Sequence, residues 1–162
     1  MMDSVSAVAG LVHLNGGKLV GKTRLQKSVY LLKLCGVDLG FDFDYHHYGP
    51  YSEDLSIAAR DAEILGNLDV EWRNSYGNEY AIFTSKCSAH LPDETKIRNA
   101  LTIMGGYDAT VLELAATADF LSKNGYSSDP WTETARRKAT KITADRVAKS
   151  KKLLNELSEV RS

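Results

Sequence analysis

Residues 16–23 read GGKLVGKT, which matches the phosphate-binding spacing G-x-x-x-x-G-K-T at every defined position. No other stretch constrains the fold as sharply. In a true phosphate loop, backbone N–H groups cradle the phosphates, the lysine reaches the terminal oxygens and the hydroxyl holds magnesium. That chemistry requires a buried strand before the motif, a helix after it and a parallel α/β sheet around it. If those neighbours are missing, Gly16, Gly17 and Gly21 read instead as a turn between two helices, with Thr23 capping the second.

The neighbours favour the turn. Val5, Val8, Ala9 and Val12 recur at i, i+3, i+4 and i+7, an amphipathic helix over residues 3–14. Thr23-Arg24-Leu25-Gln26 is spelled as a capping box opening a helix to about Cys35, with Leu25, Val29 and Leu32 inward and Gly36 as its stop. FDFDYHHY, residues 41–48, alternates as a half-buried strand. Gly49-Pro50 breaks it and opens a third helix with Leu55, Ala58, Ala59, Ala62 and Leu65 inward. LDVEWRN (68–74) and EYAIFTS (79–85) flank a glycine-containing turn and read as a β-hairpin.

Helix, helix, short strand, helix, hairpin is the connectivity of a winged helix-turn-helix with a small antiparallel sheet. Beyond residue 90 the patterns are helical: 93–104, 108–122, a segment opened by Asp129-Pro130, and 141–159. The expected class is therefore α+β and mostly helical. A winged-helix domain (1–90) is followed by a helical extension (91–162) that packs on it or dimerises.

A length of 162 residues fits this plan. No apolar run reaches membrane-spanning length, and no basic region precedes an apolar run at the N-terminus, so a cytoplasmic protein is expected. The two cysteines, Cys35 and Cys87, are expected as free thiols. The net charge is −1, with 8 Lys+Arg against 11 Asp+Glu in residues 1–90 and 12 against 10 thereafter. Neither half is strongly basic, as a chain held on nucleic acid mainly by charge would be.

Two blocks, GKTRLQKSVYLLK (21–33) and YHHYGPYSEDL (45–55), resemble those of the YwgA-like prokaryotic family. The likeness continues through LELAATADFL (112–121) and covers most of the chain. It implies a winged-helix-like fold and supplies no catalytic residues. More distantly, an L-Q-K helix followed by Y-G-P resembles the Panacea (SocA-like) antitoxin domain, whose members neutralise toxins by direct protein contact. This chain has Gly49-Pro50-Tyr51-Ser52 where that domain usually shows a G-P-V-type continuation.

The candidate contacts to double-stranded DNA or a protein partner follow from charge and aromaticity. Lys22, Arg24 and Lys27 lie on the second helix, Tyr48 and Tyr51 at the Gly-Pro turn, Arg60 on the helix that would enter the major groove, and Arg73 and Tyr76 on the hairpin. Arg136, Arg137 and Lys138 begin a run of eight cations against the single acid Asp145, ending at residue 152. Glu53, Asp54, Asp61 and Glu63, on the helix that would read DNA, would repel phosphate.

No catalytic constellation, cofactor or metal site is expected. His46 and His47, adjacent on a strand, point to opposite faces, and the Cys87/His90 spacing alone is too little for zinc. The leading expectation is a non-enzymatic, DNA-binding regulator. A protein-interaction module is the alternative, and a nucleotide-binding protein ranks third.

Overall fold

Asp3 accepts the Ser6 N–H and starts α1 (Ser4–Leu14), which buries Ala7 through Val12 and Leu14. In the computed structural model, which describes residues 3–47 and 49–160, the chain then does not turn directly into the second helix. Lys18–Val20 forms a short strand, β1, inside the GGKLVGKT segment. It is followed by α2 (Lys22–Leu32) and a 3₁₀ turn at Lys33–Cys35. The simple helix–helix turn is thus corrected: residues between the motif glycines are in strand pairing.

The capping box is not formed. Gly21, at φ 99°, occupies the N-cap of α2 with no side-chain hydrogen bond, and Gln26 is turned to another partner. The 41–48 strand shrinks to β2 (Asp44–His46), paired antiparallel with β3 (Gly49–Tyr51). Pro50 therefore belongs to a strand rather than to a helix start, and Ser52 caps α3 (Glu53–Ile64) by accepting the Leu55 N–H. Tyr48 lies outside the described residues, so its candidate role has no structural description.

The hairpin forms as the sequence predicts. β4 (Leu68–Ser75) and β5 (Asn78–Ser85) pair along eight residues each. They meet at a two-residue turn, Tyr76-Gly77, with φ of 50° and 83°, the sign pattern that matches strand twist. β1 pairs antiparallel with β5, Leu19 opposite Phe83, so the sheet order is β1-β5-β4.

The second half is helical: α4 (Glu94–Met104), α5 (Ala109–Lys123), α6 (Pro130–Arg137) and α7 (Ala144–Val160). α5 buries Val111 through Ala118 on all sides, because α2, β3, α6 and α7 surround it. One buried cluster runs from α1, α2 and β5 through α4, α5 and α7, joining residues on both sides of position 90. The fold is α+β and mostly helical with a small antiparallel sheet.

Candidate functional site

The two sequence blocks meet in the interior. On α2, the Gln26 Oε1 accepts the Ser52 N–H at 2.8 Å and its Nε2 donates to the Ser52 carbonyl at 2.9 Å. Next to it in sequence Lys27, 1% exposed, donates from Nζ to the Pro50 carbonyl at 2.8 Å. Gly49 lies against Thr117 of α5. The blocks clasp α2 to β3, and α5 backs the clasp. Their distinctive residues are tied up in folding.

Behind the clasp sits a charged cluster. Glu113 of α5, itself buried, receives Lys138 Nζ at 3.1 Å and Lys141 Nζ at 2.9 and 3.0 Å. Lys138 also donates to the His47 carbonyl at 2.6 Å. Burial pulls the Lys27 ammonium down to about 8, Glu113 opposes the fall, and Lys138 and Lys141 add to it.

A depressed lysine gives a defined sign. Unfolded lysine titrates near about 10.4, so from pH 8 upward the unfolded chain holds more protons than the folded one. The cost of burying the ammonium is present below pH 8 and is relieved as pH rises. Stability of the wild type should rise between pH 7.5 and 9, by less than about 1.4 kcal/mol per pH unit, and urea unfolding of Lys27→Met should show a smaller rise. Cys35, whose thiol burial pushes up to about 11, instead gives the folded state the extra proton, and so acts in the opposite sense near and above pH 9.

Most of the basic run is also engaged internally. Arg136 and Arg137 both bond Glu133, and the Arg137 guanidinium lies over the rings of Tyr45 (4.7 Å) and Tyr126 (5.4 Å). Lys149 pairs with Asp145, and Lys151 sits over Trp131 at 5.6 Å. Arg24, half-buried, donates to the carbonyls of Met104 and Tyr107, and Arg73 pairs with its neighbour Glu71.

The residues predicted as contacts and actually brought together are Lys22, Tyr51 and Arg60. They line a groove of about 160 Å³ between the N-terminal half of α2, α3 and the hairpin. Its apolar lining is Leu25, Ala59, Val70 and Phe83, and its wall is Trp72, 51% exposed beneath the Lys22 ammonium at 4.8 Å. Ile57, Ile64 and Leu65 add exposed apolar surface along α3 and its end. Tyr76 is fully exposed at the hairpin tip.

Trp72 is legible in the sequence only as a strand residue. Alternation with Leu68 and Val70 places it on the inward face, and that face runs past the edge of the helices covering it.

The groove is not a phosphate loop. The Gly21 N–H donates to the Ala81 carbonyl at 2.8 Å, and the Gly17 carbonyl accepts from the Ser85 N–H at 2.9 Å. Residues 18–20 are in register with 82–84, in an antiparallel sheet. A loop drawn into a strand cannot wrap a phosphate.

The His46 ring packs against Tyr51 at a tilt of 44°, centroids 4.9 Å apart, while His90 lies beside Glu94. Among the described residues no helix is long and apolar enough to cross a membrane.

The chain is 25% identical over 115 residues to the uncharacterized protein YwgA of Bacillus subtilis (strain 168), covering 65% of this chain and 68% of that protein. It is 28% identical over 78 residues to a DNA ADP-ribosyl glycohydrolase of Thermus aquaticus, covering 48% of this chain and only 20% of that protein. No family model matches, and no solved structure matches. The similarity to YwgA supports the YwgA-like family read from the two blocks.

Proposed function

We propose that this YwgA-like chain is a cytoplasmic protein-interaction module, using a winged-helix-like unit to bind a protein partner across the groove between α3 and the hairpin. The order α1, β1, α2, α3, β4, β5, interrupted between α2 and α3 by the separate β2–β3 pair, with a β1-β5-β4 sheet supports the winged-helix reading. One observation carries the partner reading: Trp72 stands half-exposed over an apolar groove, beside a helix whose outer surface is acidic and apolar. An exposed tryptophan next to an arginine is the composition of an interaction hot spot. Glu53, Asp54 and Asp61 are all exposed on the helix that a DNA-binding winged helix would insert, where they would repel phosphates. The direct protein contact made by antitoxin domains of the more distantly similar type is the same kind of activity.

DNA association is the second reading, favoured by that connectivity and by the name of the Thermus aquaticus relative, a DNA ADP-ribosyl glycohydrolase.

Wild type and Trp72→Ala separate the readings. Tagged wild-type protein should retain one stoichiometric partner from its native lysate. Trp72→Ala should lose it with little change in melting temperature, since the removed ring is half in water. Retention of that partner by Trp72→Ala sinks the groove reading. Labelled duplex DNA shifted at low salt, with affinity falling steeply as salt rises, would favour the DNA reading instead.

A further inference from the structure

We infer that the groove accepts one large apolar side chain of a partner protein, with a carboxylate of that same partner segment held by Lys22 and Arg60. This rests on the partner-binding reading and adds the chemistry of the anchor.

Size restricts the occupant first. A dry cavity of about 150 Å³ holds benzene, whereas pockets for cofactors and drug-sized ligands run to roughly 300–1,000 Å³. At about 160 Å³ this groove takes one ring or one branched aliphatic group and is too small for a nucleotide. Its lining fits that guest: Leu25, Ala59, Val70 and Phe83 present apolar surface, and Trp72 offers a ring edge or face.

Charge restricts it next. Lys22 and Arg60 stand exposed at the rim, and among the described residues neither is in an ion pair with an acid. Lys22 lies over the Trp72 ring, which sets its ammonium beside the opening. Most cations of the basic run are by contrast satisfied within the fold. Glu63 also lines the groove, so the rim carries two cations against one acid. A carboxylate beside the anchor would meet both cations, while a basic neighbour would meet their repulsion. A neutral apolar segment would leave the rim with one cation in excess of Glu63.

The test uses capped peptides on the full, ¹⁵N-labelled chain at low salt. Acetyl-Gly-Phe-Glu-Gly-amide is compared with the same peptide carrying Lys for Glu and with one carrying Ser for Phe. The readout is the Trp72 indole N–H, assigned with a Trp131→Phe variant. The Phe-Glu peptide should move that signal with a dissociation constant on the order of millimolar, as one small anchor can supply. The Phe-Lys peptide should bind at least roughly fivefold more weakly, and the ratio should fall toward one in Arg60→Gln and in Lys22→Gln. The Ser-Glu peptide should leave the indole unmoved.

Equal binding of the Glu and Lys peptides, or no movement of Trp72 with any of them, overturns the inference. If it fails while Trp72→Ala still abolishes partner capture, the partner-binding reading stands and the anchor chemistry is wrong. If capture is indifferent to Trp72→Ala, both fall together.

Discussion

Glu113→Gln should cost about 3–5 kcal/mol of unfolding free energy, because it removes one partner from a buried ion cluster and leaves the other charges behind. Glu113 receives both Lys138 and Lys141, and its charge is the main attraction offsetting the burial of Lys27. Without it, three ammonium groups face one another where water screens them poorly. The amide keeps the shape of the carboxylate, so the loss reports charge rather than volume. Urea unfolding measures the effect, and Lys138→Met gives the second edge of a double-mutant cycle. In that background the same Glu113→Gln change should cost less by roughly 1 kcal/mol or more, since one of the stranded cations is gone. A loss below about 1 kcal/mol, identical in both backgrounds, would mean that the cluster is solvated and energetically idle.

Gly49→Ala is expected to be the second most damaging change. Gly49 sits at φ +86°, and a Cβ placed there would lie 2.3 Å from the Thr117 Oγ1 and 3.5 Å from its Cβ. Alanine in that backbone region costs about 1–2 kcal/mol, and overpacking against α5 adds about 1–3 kcal/mol. The combined loss, about 3 kcal/mol, corresponds to roughly 6–12 °C in melting temperature for a chain of this size.

Two controls separate the terms. Gly66, at φ +81° with open space within 4 Å of where a methyl would sit, should lose only the backbone part on changing to alanine. Thr117→Ala removes the clashing oxygen, which is buried with no hydrogen-bond partner among the described residues, so Gly49→Ala/Thr117→Ala should recover the steric part. If Gly49→Ala melts within about 2 °C of Gly66→Ala, the close approach of β3 to α5 is wrong.

These two sites explain why the paired blocks read as a signature. A lysine buried against a carbonyl, a glutamine bridging a cap residue and a glycine pressed on a helix each tolerate few replacements. Yet the spelling around them points to surface chemistry. Lys27 and Lys138 are candidate contacts by sequence because lysines are almost always exposed, and here both lie within 4% of full burial. Arg24 and Arg137, also candidates, are spent on carbonyls, a carboxylate and aromatic rings. Arg60 and Lys22 are the groove candidates that remain offered to a partner, and Trp72 joins them from a position where the sequence shows only strand alternation.

What the sequence determined by itself is what depends on neighbours a few residues away. The i, i+3, i+4 stripes of α1, α2, α3 and α5, the helical segment at 93–104, the Asp129-Pro130 start of α6, and the hairpin with its glycine-containing turn were written locally. The exception is Leu65, read as the inward end of the α3 stripe, which lies past the helix end and is 67% exposed. So was the mismatch between GGKLVGKT and the surroundings that a phosphate loop needs. The tertiary structure decided the rest. β1 and β3 are three-residue strands with no period long enough to read, and β1 exists because β5, on the far side of α2, β2, β3, α3 and β4, supplies its hydrogen bonds. The Gln26 side chain bonds Ser52 rather than its own helix end because α2 and β3 are pressed together by α5. Whether a cation faces a carboxylate inside or a partner outside is fixed by which surfaces meet, and residue order alone does not encode that.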